Sequence, residues 1–251
     1  MPAKIIVIAN QKGGVGKTTT AVSISHALAL RDRRILLIDF DPQGQCAVSL
    51  AVNPEPGVFN ALVNTRSDIH QWIRDTSRQG LDLIPGDRTT ATAQIVINAE
   101  NRPIDCIYQI CRPLSKEYDF IIFDTAPSVG GIQERAIFAA NLLLIPTATE
   151  FLSMDGLAQM IELLTTLRNN SSWDGELLGI LPTFYDEHTT ESSKSLGDLR
   201  EGFGDSVLSP VHRATVLREC AAEGKTIFET APASRASQEY EELGRIVIKR
   251  S

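Results

Sequence analysis

Apolar positions along the chain follow two rhythms. Short, nearly unbroken apolar runs sit at residues 5–9, 35–38, 81–84, 120–123, 142–145 and 177–181. Between them lie longer stretches in which apolar residues return every third or fourth position. One runs from Thr19 to about Leu30, with Ala21, Ile24, Ala27 and Leu28 on one side. Another places Leu157, Ile161, Leu164 and Leu167 in a stripe, and a third places Tyr240, Leu243 and Val247 in a terminal helix over 234–248. Apolar runs this short, bounded by turn residues, read as buried strands, and the 3.6-residue rhythm reads as helices. Strands that are apolar on both faces and separated by helices predict an α/β fold, a doubly wound and mostly parallel central sheet covered on both sides. No repeat, low-complexity tract or linker divides the chain, so one domain over 1–251 is expected, with the helix at about 234–250 packed on it. The polar stretches 53–57 and 169–175 read as loops within it.

The segment between 49 and 114 is harder to read. Ile69, Trp72 and Ile73 have helical spacing and are expected in a core. Leu83, Ile84, Pro85, Gly86 and Asp87 end a strand. Residues 88–98 form a candidate helix over the site, with Thr89, Ala93, Val96 and Ile97.

The chain has 251 residues, enough for a sizeable core. No apolar run approaches the roughly 20 residues of a membrane helix. Met1, Pro2, Ala3 and Lys4 lead straight into a strand, so no signal peptide is visible and a cytoplasmic address is expected. The net charge of −7 argues against nonspecific nucleic-acid binding by the whole monomer and leaves room only for a local basic patch. The four cysteines, Cys46, Cys106, Cys111 and Cys220, form no Cys-x-x-Cys pair and are expected as buried free thiols. The four histidines, His26, His70, His188 and His212, show no metal-ligand spacing, so solvated or capping roles are expected.

Candidate chemistry gathers at strand ends. After the first strand come Lys12, Gly13, Gly14, Val15, Gly16, Lys17, Thr18 and Thr19, and then a helix. Strand, glycine loop and helix form the setting of a phosphate-binding loop. Glycines let successive backbone N–H groups turn toward phosphate oxygens, and the helix N-terminus adds positive potential. Lys17 supplies a full charge, and the Thr18 hydroxyl is a hard oxygen ligand suited to Mg²⁺. The strict Walker template wants Gly where Gln11 stands, so the loop is a variant with an added lysine, Lys12.

The second strand ends in Asp39, followed by Phe40, Asp41, Pro42, Gln43 and Gly44. Asp39 and Asp41 at i and i+2 share a side if the chain stays extended. Asp39 can then hold Mg²⁺ through water, and Asp41 can orient or deprotonate an attacking water. Both can equally cap the turn that follows. The strand at 120–123 ends in Asp124, a Walker B arrangement for the Mg²⁺ shell, and is followed by Thr125, Ala126 and Pro127. Gly130 and Gly131 allow a segment that responds to a γ-phosphate, or a plain turn.

These motifs resemble the deviant Walker A motif, switch segment and Asp-x-x-Pro tract of the ParA/MinD family of ATPases. The resemblance extends over nearly the whole chain, including 145–157, where a strand leads into a long helix; Met154 and Met160 there read as core. In the family the corner at Pro182 and Thr183 lies against adenine, which implies ATP and Mg²⁺ as cofactors and assigns base contacts there. Relatives often carry Pro-Arg-Asn and then Val-Arg-Leu where this chain has His212, Arg213, Ala214, Thr215, Val216 and Leu217. Ala214 replaces the Asn and so leaves the side-chain contact to adenine open at that position, and the second arginine is displaced, with Arg218 two residues after Val216. Arg213, Arg218, Lys225, Arg245 and Lys249 lie in a basic-enriched region that either binds DNA or is ordinary surface charge among Glu219, Glu223, Glu239, Glu241 and Glu242.

The resemblance implies a weak ATPase stimulated by a partner, with Lys12, Lys17 and Asp41 in catalytic roles. It implies a homodimer on ATP binding, with Lys12 of each subunit reaching the other's ATP. It also implies nonspecific DNA binding, a nucleoid-associated address, and a ParB-type or cargo-adaptor partner. The cargo is a plasmid, a chromosome or a protein assembly. The chain looks like the short type without an N-terminal operator-binding extension. Three other readings remain. A MinD-like membrane-cycling ATPase wants a more basic and apolar tail, and no stable membrane association is expected here. An iron–sulfur scaffold wants clustered cysteines, and a dead site wants a broken loop.

Overall fold

The structure, a computed structural model, describes residues 2–64, 67–128, 131–150 and 154–251. Gly130, the 151–153 stretch and the side chain of Met154, all part of the readings above, lie outside what is described.

The apolar runs become strands β1 (Lys4–Ile8), β2 (Ile35–Phe40), β4 (Leu81–Ile84), β5 (Phe120–Thr125), β6 (Leu142–Ala148) and β7 (Glu176–Thr183), with β3 (Arg74–Arg78) added. Helices α1 (Lys17–Ala29), α2 (Gln45–Leu50), α3 (Val58–Val63), α4 (Thr90–Ala99) and α5 (Cys106–Cys111) follow in chain order. They continue as α6 (Gly131–Ala139), α7 (Met154–Ser171), α8 (Thr190–Phe203), α9 (Val216–Ala222), α10 (Ile227–Thr230) and α11 (Arg235–Arg250). The sheet order is β3-β4-β2-β5-β1-β6-β7. All pairings are parallel except β3 with β4, so the doubly wound expectation holds.

The unbroken apolar runs have a simple cause. Successive strand residues point to opposite faces, and both faces are covered. On β1, Ile5 and Val7 join one core with Ile121, Phe123 and the α7 stripe of Leu157, Leu164 and Leu167. Ile6 and Ile8 join the other with α1 and with Tyr240, Leu243 and Val247 of α11. α11 lies on α1. A Cβ at Gly244 would stand 3.3 Å from that of Ala27, a tight approach that keeps the two helices close.

The stretch at 69–73 departs from its helical spacing. Ile69–Trp72 make one turn of 3₁₀ helix, and the chain then enters β3, the antiparallel edge strand. Ile69 is buried, and Trp72 and Ile73 pack partly against the core. β3 escapes sequence reading because only Thr76 along it is buried. An edge strand needs few apolar residues, and charge along it discourages further pairing.

Candidate nucleotide site

Parallel strands end on one side of the sheet, and ligands gather beyond those ends. β1 stops at Ile8, and the chain crosses a loop before entering α1. Gly14 and Gly16 sit at φ +72° and +84°, left-handed values that glycine adopts without strain. The loop is tied down by Asn10, which sequence reading passed over. Its side chain donates to the Pro146 carbonyl (2.8 Å) and accepts from the Lys12 N–H (2.9 Å). In the sequence only its place directly after the apolar run 5–9 marks it, which is too little to single it out.

Lys17 is only 6% exposed. Its Nζ donates to the Lys12 carbonyl at 2.8 Å, folded inward over the loop. Burial lowers its pKa, and the charges of Asp124 and Asp41 oppose that shift. The bond to the Lys12 carbonyl holds the side chain over the loop, near Asp124 and Asp41.

Asp39 and Asp124 are register partners on β2 and β5, and both are fully buried. Burial raises the pKa of Asp39, and the charge of Asp124 adds to it. Burial likewise raises Asp124, the Asp41 charge adds to it, and hydrogen bonds from Thr18 and Cys46 with the Lys17 charge offset part of the shift. Asp39 accepts from the N–H of Asp41 (2.8 Å) and of Cys46 (3.1 Å), and Asp41 accepts from the N–H of Gln43 (2.9 Å). The capping alternative is thus realised for both carboxylates, in the same place as the chemical one. Asp124 Oδ1 is buried without a hydrogen-bond partner. An orphaned carboxylate oxygen beside the Thr18 hydroxyl fits a hard divalent cation, with Thr18 and Asp124 as its holders and Asp39 behind them.

The loop after β2 is locked by two glycines on different segments. A Cβ at Gly44 would sit 2.5 Å from the Gly86 carbonyl oxygen, and a Cβ at Gly86 would sit 2.5 Å from that of Asp41. The turn after β4 therefore supports the Asp41 backbone directly, a role that the residues at 83–87 did not announce. The segment at 88–98 does form a helix, α4, and Thr90 and Gln94 border a small hollow with Pro42 and Ala126.

A cleft of about 660 Å³ lies over the loop, lined by Gly13, Lys17, Thr18, Asp41, Pro127 and Arg218 among others. It continues into a second hollow of about 220 Å³ through Gly16, Thr19, Phe184 and Arg218, which line both. Thr183 closes the far side and donates through Oγ1 to the Val15 carbonyl at 2.9 Å. Pro182, expected beside it, lies within β7 instead; its carbonyl accepts from the Val211 N–H, and it is absent from both linings. The aromatic face is Phe184, whose ring would lie 3.7 Å from a Cβ on Gly16. Ala214 and Tyr240 line the same hollow.

The five basic residues have different surroundings in the described structure. Arg213 and Arg218 line the second hollow, and Arg213 pairs with Glu150. Lys225 follows α9 and pairs with Glu223 at 3.1 Å. Arg245 lies on α11 between Glu241 and Glu242, and Lys249 is exposed on its last turn. Two histidines depart from solvated or capping roles. His26 is buried, with Nδ1 2.6 Å from the Thr226 hydroxyl, and burial lowers its pKa. His212 is held by Glu239, with Nδ1 2.6 Å from Oε1. His70 is half exposed between Asp68 and Glu117, and His188 is exposed. Cys46, Cys111 and Cys220 are buried, whereas Cys106 is half-buried. Among the described residues, no helix is long and apolar enough to cross a membrane.

Comparison with known proteins points the same way. A family model described as an AAA domain matches residues 3–174. The chromosome partitioning protein ParA of Myxococcus xanthus is 34% identical over 98% of this chain and 88% of its own length. The sporulation initiation inhibitor protein Soj of Bacillus subtilis is 32% identical, over 97% of this chain and 98% of its own. A solved structure of a cobyrinic acid a,c-diamide synthase from Mycobacterium smegmatis, with an ATP analog and magnesium bound, superposes with a TM-score of 0.85 at 28% identity. It covers 99% of this chain and 95% of that one, under a name that describes different chemistry.

Proposed function

The chain belongs to the AAA-domain family that includes the ParA-type partition proteins, and on that footing we propose that it is an ATP-dependent partition or positioning ATPase using Mg²⁺. The observation that carries this reading is buried Lys17, folded inward onto the Lys12 carbonyl and near Asp41 and Asp124. When ATP enters, Lys17 exchanges the Lys12 carbonyl for phosphate oxygens, a stronger charge-assisted bond. The loop N–H groups from Gly13 to Thr19 take the remaining oxygens. Thr18 and Asp124 would hold Mg²⁺, which when bound would neutralise charge on the triphosphate. Asp41 orients the attacking water and takes its proton, and its N–H bond to Asp39 fixes its backbone. Phe184 offers a face to the base, and Thr183 bounds the hollow.

Lys12 is half-buried in the loop, its Cβ 4.0 Å from where a Cβ on Gly156 of α7 would stand. In our reading two subunits meet face to face, and each Lys12 reaches the other's ATP; C2 symmetry makes the exchange reciprocal. The dimer doubles a weak basic surface and gains on DNA through effective concentration. Lys225, Arg245 and Lys249 are its candidate phosphate contacts, since all three are exposed. Arg213 and Arg218 sit closer to the nucleotide. Hydrolysis, stimulated by a ParB-type or other adaptor, removes the γ-phosphate and parts the dimer, so DNA release is timed and cargo moves.

Molecular-size measurement with and without ATP tests this reading. The parent should dimerise with ATP, Lys12→Ala should bind ATP and stay monomeric, and Asp41→Ala should remain a dimer that sediments with DNA. A Lys12→Ala protein that dimerises and turns over like the parent overturns the cross-subunit role.

A further inference from the structure

Beneath the phosphate loop the metal-holding carboxylates share their space with a thiol. Cys46, on α2, is fully buried, and its Sγ lies 3.4 Å from Asp124 Oδ2. One ligand atom each from Asp39, Cys46 and Asp124 lie within 4.8 Å of one another. A tetrahedral ion with metal–sulfur and metal–oxygen bonds of about 2.3 and 2.0 Å spans a sulfur–oxygen edge of roughly 3.5 Å. The observed separation therefore already fits that edge.

Two further observations point to a ligand. Asp124 Oδ1 is buried and lacks any hydrogen-bond partner, which leaves an acceptor with nothing to accept from. Asp39 uses both oxygens to receive N–H groups, yet each carboxylate oxygen has a second lone pair. Mg²⁺ prefers six oxygen ligands in a strict octahedron and gains little from sulfur. Zn²⁺ and Cd²⁺ prefer thiolates.

We propose that Asp39, Cys46 and Asp124 form a binding site for a thiophilic divalent cation of the Zn²⁺ or Cd²⁺ class, in competition with the Mg²⁺ that accompanies ATP. The fourth position falls to the Thr18 hydroxyl, which bonds Asp124, or to water. On binding, the Cys46 S–H bond breaks, its proton goes to solvent and a sulfur–metal bond forms. No group is oxidised or reduced. Binding itself does not depend on the ATPase reading; only its consequence, a metal-inhibited nucleotide site, rests on that reading.

The test is to titrate the full chain with Cd²⁺ in the absence of nucleotide and record thiolate-to-cadmium charge-transfer absorption. One equivalent should produce the band, and Cys106→Ser should leave it unchanged. Cys46→Ala and Cys46→Ser should both lose it, with thermal melts confirming that at least one of them is folded. No band in the parent, or a band that survives in a folded Cys46 variant, overturns the proposal. In a second arm, Zn²⁺ should inhibit ATP turnover in the parent, and Cys46→Ala should need at least about tenfold more Zn²⁺ for the same inhibition. A cadmium band without any ATP binding would leave the metal site standing and refute the ATPase reading.

Discussion

On the side of the cleft that we propose for phosphate, the candidate residues end or follow β1, β2 and β5, three neighbouring strands. Each brings its chemistry in a short contiguous tract: residues 12–19, Asp39 with Asp41, and Asp124. On the base side, the wall is assembled from Gly16, Phe184, Ala214, Arg218 and Tyr240, which are scattered along the chain. Phosphate is held by backbone N–H groups and buried charge, which require one fixed local conformation. A purine face requires only apolar surface at the right distance, and many side chains supply it. The first side therefore follows a strict pattern and the second a loose one, and substitutions should separate them.

The largest effect is expected at Lys17. Lys17→Ala removes a buried charge aimed at the phosphates, and charge-assisted bonds of about 3 kcal/mol correspond to roughly 100-fold weaker ATP binding. Calorimetry should show it, and a loss below tenfold would mean that the loop amides alone hold the nucleotide. Next comes Gly86→Ala. Its new Cβ meets the Asp41 carbonyl at 2.5 Å, and relieving such overpacking costs about 1–3 kcal/mol. The protein should melt earlier and hydrolyse more slowly, since the same shift moves Asp41. A thermal melt unchanged from the parent would mean that the two segments are not interlocked.

Phe184→Ala probes the base side. Stacking of a base on an aromatic ring is worth about 1–3 kcal/mol, so ATP binding should weaken about tenfold while binding of inorganic triphosphate stays unchanged. Equal losses for both ligands would erase the distinction between the two sides. The smallest effect is expected at His26, in the last turn of α1 and in the lining of neither hollow, where the ring meets the Thr226 hydroxyl. Its pKa is lowered by burial, so the folded state favours the neutral ring. The stability this contributes is full above the unfolded value near 6.5 and declines as pH falls from there through the folded value. Urea unfolding at a series of pH values should show that decline, and His26→Gln should flatten it.

Much of the phosphate side was legible in the residues themselves. Gly14 and Gly16 take the left-handed conformations that their place in the loop suggests, and Asp39 and Asp124 end adjacent strands. Asn10 was not legible, because a lone Asn after a strand has no pattern to stand out from. Cys46 was read as a buried thiol, and it is one, but nothing in its neighbours shows that its sulfur faces Asp124, 78 positions away. The strand end was placed too early: β7 runs through both Pro182 and Thr183, and the chain leaves it at Phe184. The basic-enriched region, read either as a DNA-binding patch or as ordinary surface charge, carries acidic partners at Arg213, Lys225 and Arg245.

The sequence by itself determined the parallel layered fold, the phosphate loop and the carboxylates at the strand tips. Each rests on interactions between residues a few positions apart, or on an apolar periodicity that only one kind of element satisfies. Tertiary structure alone decided that Gly86 would brace Asp41, that Tyr240 of the last helix would reach the base hollow, and that a thiol would share space with Asp39 and Asp124. Those contacts join segments distant along the chain, and their geometry is set by how helices and strand ends pack together. Close packing leaves each such position one permitted shape, and neither composition nor spacing carries that shape.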